Sequence, residues 1–169
     1  MTVRAQVLIL FTTLLMKQIL KLLCATTVLA GSFSLRAQDV LEITLTADKI
    51  QFVYDKKEFT AKPGQKVKLT LINPADSVTR QPHNLLIVKP GKKDVVGMAA
   101  NAGMADPAFL TTKHAVPDSA EILHHTKLVQ AGEQDVIEFT APTEAGDYPY
   151  LCTYPGHWAI MNGVMKVAP

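Results

Sequence analysis

From residue 40 onward the chain alternates apolar and polar side chains in short runs, each broken by Pro, Gly or Asn. "VLEITLT" (40–46) sets Leu41, Ile43 and Leu45 against polar or small neighbours, and "KVKLTLI" (66–72) does the same with Val67, Leu69 and Leu71. Such alternation gives an extended strand one apolar face, because successive side chains leave the backbone on opposite sides. "IQFVY" (50–54), "DVIEFTA" (135–141), "GDYPYLC" (146–152) and "GVMKVA" (163–168) are further candidates. "HNLLIVK" (83–89) is apolar almost without interruption, as a strand covered on both faces would be. Short strands between frequent turn signals predict an all-β fold, a Greek-key antiparallel β-sandwich over residues 38–169. Residues 91–131 depart from the pattern. They are long for a connection, and "DVVGMAANAGMADPAF" is rich in Ala, Met and Gly, which predicts a short helical flap insertion against the sandwich. Met98 and Met104 are expected to fill packing gaps there.

Residues 1–37 follow another rule. They hold Arg4, Lys17, Lys21 and Arg36, no acidic residue, long apolar runs and the small Ala37 at the end, the pattern of an export signal peptide. The stretch from Met16, "MKQILKLLCATTVLAGSFSLRA", is a complete signal by itself, which makes Met16 a candidate true start. Lys17 and Lys21 interrupt the apolar run, so no stable membrane insertion is expected. Cys24 follows the bulky Leu23 where lipid attachment wants a small residue, so no lipid anchor is expected. With this segment set aside, 13 basic residues face 15 acidic ones, and no Lys/Arg run carries interleaved aromatics. That excludes nucleic acid as a partner. The expected location is periplasmic or secreted.

Export makes the cysteine usage informative. Cys152 is the only cysteine after residue 37. Exported thiols usually pair as disulfides, and a thiolate held by a metal would account for one that does not. "LCTYPGHWAIM" places His157 and Met161 shortly after Cys152, around a Pro-Gly turn. A thiolate, two imidazoles and a weak thioether make the blue-copper donor set. The second imidazole must come from elsewhere, and "QPHNLLIV" offers His83 at the start of a buried strand. The predicted metal ligands are therefore His83, Cys152, His157 and Met161, and the predicted cofactor is one type 1 copper. Met165 competes with Met161 but falls in the last strand, where core packing is its expected role. Zinc is disfavoured, since structural zinc takes Cys and His donors and a thioether serves it poorly. Tyr148 and Tyr150 share a strand face with Cys152 and are read as core. The pair His124–His125 has no third ligand near it and is read as surface or partly packed, and His114 is likewise not read as a ligand. A cysteine nucleophile would need a base oriented by a third polar group, and no such group, GxSxG, HExxH or phosphate loop is evident. The chain does not read as an enzyme.

"CTYPGHWAIM" closely resembles the C-terminal copper loop of azurins, and the wider chain resembles azurins and auracyanins of the plastocyanin/azurin cupredoxin family. The pair His83–Asn84 matches the upstream copper histidine and the asparagine after it, and "HHTKLVQAGEQDVIEFTAP" (124–142) resembles the stretch before the copper-loop strand. The resemblance implies that His83, Cys152 and His157 are equatorial ligands and Met161 the axial one. It also implies that Asn84 ties the two ligand loops together, and that the backbone N–H groups of Asn84 and Tyr154 donate to the Cys152 sulfur. Three departures stand out. Pro82 occupies the place of a glycine in azurins, the azurin disulfide is absent, and Trp158 replaces a small residue beside the second copper histidine. The implied function is one-electron transfer between redox partners outside the cytoplasm. Those partners, cytochromes or copper oxidoreductases, would dock on an apolar face around His157, whose exposed ring edge is the expected electron port. Copper storage or delivery is the alternative reading.

Overall fold

In the computed structural model, which describes residues 39–169, two β-sheets face each other and one helix lies on the outside of the second. The signal peptide, the start at Met16 and Cys24 lie outside the described residues. The strands are β1 (Leu41–Thr46), β2 (Glu58–Ala61), β3 (Lys66–Ile72), β4 (Leu86–Val88), β5 (Ile122–His125), β6 (Gln134–Thr140), β7 (Gly146–Leu151) and β8 (Asn162–Val167), with helix α1 (Lys93–Gly103) between β4 and β5. The first sheet has the order β1-β3-β6 and the second β2-β8-β7-β4-β5. The sandwich and its helical insertion are as expected, but the sheets are mixed. β1 runs parallel to β3, and β2 parallel to β8.

The alternation seen in the sequence sets the core. Val67, Leu69 and Leu71 of β3 point inward, with Leu45 beside Leu71 in the parallel register of β1. From the other sheet Phe59, Ile87, Tyr148, Tyr150, Met165 and Val167 meet them. Removing each such side chain from water stabilises the fold by about 1.5–3 kcal/mol. Tyr148, Tyr150 and Cys152 all lie in this core, as does Met165, which stands between Phe59 and Tyr148 in the strand register. Both tyrosines of β7 still satisfy their hydroxyls, Tyr148 donating to the Glu144 carbonyl and Tyr150 to the Lys56 carbonyl.

The uninterrupted apolar run at 85–88 has a direct cause. Leu85 and Ile87 face the sandwich core, whereas Leu86 and Val88 face outward into a second cluster with Val96 of α1, Leu151 and the partly buried Trp158. Helix α1 covers this outer face with Val96, Gly97 and Ala100, and Asp94 sits favourably in its first turn. Met98 and Met104 do not fill gaps. They are 61% and 47% exposed, because the helix turns its small residues toward the sheet and Met98 away from it.

"IQFVY" is not a strand. Only Tyr54 pairs, in a single bridge with Ala47, and residues 48–53 form a turn. The Asp48 carboxylate accepts from the backbone N–H groups of Ile50 and Gln51 at 2.8 Å each, a local bond that competes with extended pairing. β2 and β5 occur where no strand was expected, the one short and flanked by charges, the other inside the long 91–131 segment.

Candidate metal centre

β7 ends at Leu151 and the chain then folds into a tight loop that returns to β8. The loop closes at its base, where the Cys152 N–H donates to the Met161 carbonyl at 2.9 Å. Within it, the His157 N–H donates to the Tyr154 carbonyl across Pro155-Gly156, with Gly156 at φ 81°. Proline followed by a residue of positive φ is the signature of a type II turn, which favours glycine at that place. Met161 and Ile160 N–H groups both donate to the His157 carbonyl. His83 comes from the other side, just before β4. It is held by a two-way backbone bridge with Val129, at 3.0 and 2.8 Å.

These elements bring His83, Cys152 and His157 together, with one donor atom of each lying within 4.8 Å of the others. Among the described residues they are the one such group of three or more His, Cys, Asp or Glu side chains. Each histidine turns its Nδ1 toward the sulfur, His83 at 3.8 Å and His157 at 3.6 Å. A metal–sulfur bond of about 2.3 Å and a metal–nitrogen bond of about 2.0 Å, meeting near 120°, would set their donors about 3.7 Å apart. The spacing therefore suits three donors around one shared ion. Met161 is fully buried in the same core cluster as Cys152. His114, His124 and His125 do not join the group. His124 stacks on Phe139 with ring centres 4.4 Å apart, and His125 Nδ1 lies 3.1 Å from the Thr126 carbonyl.

Burial pushes the Cys152 thiol up to about 12, against the opposing pull of the Asn84 and Tyr154 backbone N–H groups directed at the sulfur. Burial lowers His83 to about 4, helped by the nearby His157, and burial lowers His157 to about 4 as well. At neutral pH the site thus holds a thiol and two uncharged imidazoles, which are ready to bind metal once the thiol proton leaves.

Asn84 joins the two ligand-bearing segments. Its Oδ1 accepts from the Thr153 N–H at 2.8 Å, while its Nδ2 donates to Thr153 Oγ1 and to the His114 carbonyl, both at 2.9 Å. Thr153 Oγ1 donates onward to the Ala115 carbonyl at 2.7 Å, and Tyr54 donates its hydroxyl to the Asn84 carbonyl at 2.6 Å. His114 and Ala115 both adopt positive φ, 53° and 60°, a conformation unusual outside glycine. Their carbonyls are the ones that meet Asn84 and Thr153, so the site is where this backbone strain is held.

A match to the family model described as "Copper binding proteins, plastocyanin/azurin family" spans residues 41–168. The chain belongs to this family. Azurin-1 of Alcaligenes xylosoxydans xylosoxydans is 36% identical over 124 residues, which cover 71% of this chain and 91% of that protein. Auracyanin-A of Chloroflexus aurantiacus is 36% identical over 118 residues, 69% of this chain and 68% of that protein. Among solved structures, dithionite-reduced auracyanin from Roseiflexus castenholzii is similar at TM-score 0.64 and 38% identity, covering 76% of this chain and 97% of that one. Auracyanin A, described as a "blue" copper protein, matches at TM-score 0.66 and 30% identity over 77% of this chain and all of that one. Copper is thus the metal that suits this cupredoxin, and the buried sulfur and imidazole donors fit one type 1 copper.

One expectation fails at the site. His157 does not expose its ring edge: it is only 2% exposed. Phe52 stacks on it with ring centres 4.2 Å apart, Tyr154 lies 5.0 Å away, and Gln81 Oε1 is 2.7 Å from its Nε2. The turn at 48–53, which overlaps the run 50–54 read from sequence as a strand, is what carries Phe52 over the ring. Gln81, Phe52 and Thr153 had no sequence signal beyond their closeness to His83, Tyr54 and Cys152. Trp158 is also half-buried, packed on α1 with its Nε1 donating to Asn101 Oδ1 at 3.3 Å.

Proposed function

We propose that this cupredoxin is a one-electron carrier in which His83, Cys152, His157 and Met161 would hold copper. The observation that carries the reading is enclosure. All four side chains are 0–2% exposed, so no substrate can reach the metal position and electrons must pass through the protein shell. Copper would supply a centre that alternates between Cu(II) and Cu(I) in a trigonal sulfur–nitrogen set. The chain supplies the rest. Two backbone N–H groups would stabilise charge on the Cys152 sulfur, and the Asn84–Thr153 bonds tie the two ligand-bearing segments together.

The basic, apolar start of the chain supports work outside the cytoplasm, in the periplasm or beyond, after export by residues 1–37. Among the described residues no helix is long and apolar enough to cross a membrane. Redox protein partners, such as cytochromes or copper oxidoreductases, would dock where the copper loop reaches the surface, at Gly156, Ala159 and the 55% exposed Ile160.

The test is the visible and EPR spectrum of the copper-loaded protein. An intense thiolate-to-copper band that disappears in Cys152→Ser is expected, and a colourless protein holding one Cu(II) would sink the reading. Copper that passes to a chelator within minutes would favour storage or delivery instead, against what burial of the whole donor set supports.

A further inference from the structure

His83 and His157 face the same sulfur but are held by different means. His83 sits in a backbone bridge to Val129, whereas the segment bearing His157 makes backbone bonds only within its own turn and loop. The ring nitrogens turned away from the site differ as well. His83 Nε2 is buried with no hydrogen-bond partner among the described residues, while His157 Nε2 meets Gln81 Oε1 at 2.7 Å.

We infer that Gln81 is a positioning residue for His157, its side-chain carbonyl accepting from Nε2–H so that the Nδ1 lone pair is turned to the metal before any metal arrives. The inference rests on the copper reading above. A neutral imidazole carries its one proton on either nitrogen, and the hydrogen bond at one selects the form of the other. An acceptor at Nε2 places the proton there and leaves Nδ1, 3.6 Å from Cys152 Sγ, as the free donor. Phe52 restricts the same ring from its face, at 4.2 Å and an interplanar angle of 20°.

Gln81 is itself anchored. The amide of Asn73, a residue only 1% exposed just after β3, donates to the Gln81 backbone carbonyl at 2.9 Å and to the Val129 carbonyl at 3.1 Å. Val129 is the bridge partner of His83. One buried asparagine therefore ties the segment that orients His157 to the segment bridged to His83, and the two imidazoles are placed relative to one another before copper binds.

Two measurements test this. In the metal-free wild type, long-range proton–nitrogen NMR should show His157 as the Nε2–H form, with that proton slow to exchange with water. Titration against a copper chelator should show Gln81→Leu, which offers no acceptor, binding copper about 10- to 100-fold more weakly. Gln81→Glu, which can only accept, should recover most of that loss. The Gln81→Leu copper protein should also shift its reduction potential while the urea midpoint of its metal-free form stays close to wild type. A metal-free His157 in the Nδ1–H form would overturn the inference, as would equal losses in the Leu and Glu variants or a Leu variant that binds copper as tightly as wild type. A wild type without the thiolate band would overturn the copper reading instead, and the tautomer measurement would still decide the role of Gln81.

Discussion

The indole of Trp158 occupies the space that a Cβ on Gly97 would need, so the copper loop packs this ring directly on the backbone of helix α1. The outer cluster of Leu86, Val88, Val96 and Leu151 continues this contact under the loop. The insertion is thus a brace for the ligand loop, and Gly97 is needed for close approach, since its φ is ordinary.

Gly97→Ala should therefore destabilise the protein by about 1–3 kcal/mol, the usual cost of forcing extra volume into a packed contact, despite the better helix propensity of alanine. Gly91→Ala is not an equivalent control because of its positive φ, but Ala102→Ser on the exposed helix face is, and it should change little. Urea unfolding of the three proteins decides the matter. Equal midpoints for Gly97→Ala and wild type would mean that Trp158 moves aside freely.

The two buried methionines near the site should separate cleanly. Met161→Leu should keep the thiolate band and raise the reduction potential, because loss of a weak donor disfavours Cu(II). Met165→Leu, deep between Phe59 and Tyr148, should leave the potential unchanged. Each swap nearly conserves volume and should cost less than about 1.5 kcal/mol of stability. Matching potentials in the two variants would point to the wrong methionine.

Copper uptake should release about one proton at pH 7. The Cys152 thiol, raised to about 12, must give up its proton, whereas both histidines, lowered to about 4, have already lost theirs. Affinity should consequently fall about tenfold for each unit of pH lowered across the neutral range, and more steeply below about 4, where the imidazoles also bind protons. Calorimetric titration in buffers of differing ionisation enthalpy counts the protons. A count near zero would show a thiolate already formed in the metal-free protein.

Docking through the loop surface should depend little on salt. Tyr154, Pro155, Gly156, Trp158, Ala159 and Ile160 carry no charge, so in the docking proposed above long-range steering would be weak and apolar burial would hold the contact. Electron self-exchange measured across ionic strengths should give a shallow slope, and Ile160→Lys should slow it. A steep slope with an unaffected variant would place the docking face elsewhere.

Most of the strands were readable because one buried face imposes alternation, and β1, β3, β6, β7 and β8 lie where the pattern put them. The run at 85–88 was also legible, since strand residues facing a core on one side and a helix on the other are all apolar. Residues 50–54 misled because Asp48, outside the run, captures two of its N–H groups locally. β2 and β5 were too short, and too charged or too irregular in their flanks, to show a period.

The chemistry of the site was determined by the sequence alone. A single thiol, a nearby histidine and methionine and a distant strand-initial histidine restrict the metal by donor type, which is a property of residues and not of their arrangement. Tertiary structure alone decided how that chemistry is enclosed. Whether His157 meets water depends on Phe52, more than a hundred positions earlier, and on Gln81, whose backbone carbonyl is held by Asn73. Neither residue carries a periodic or compositional mark, since a single stacking contact and a single hydrogen bond between distant segments leave no local pattern. The need for Gly97 is equally invisible locally: Trp158 stands out in the copper loop, but only packing that loop on the helix makes the glycine necessary.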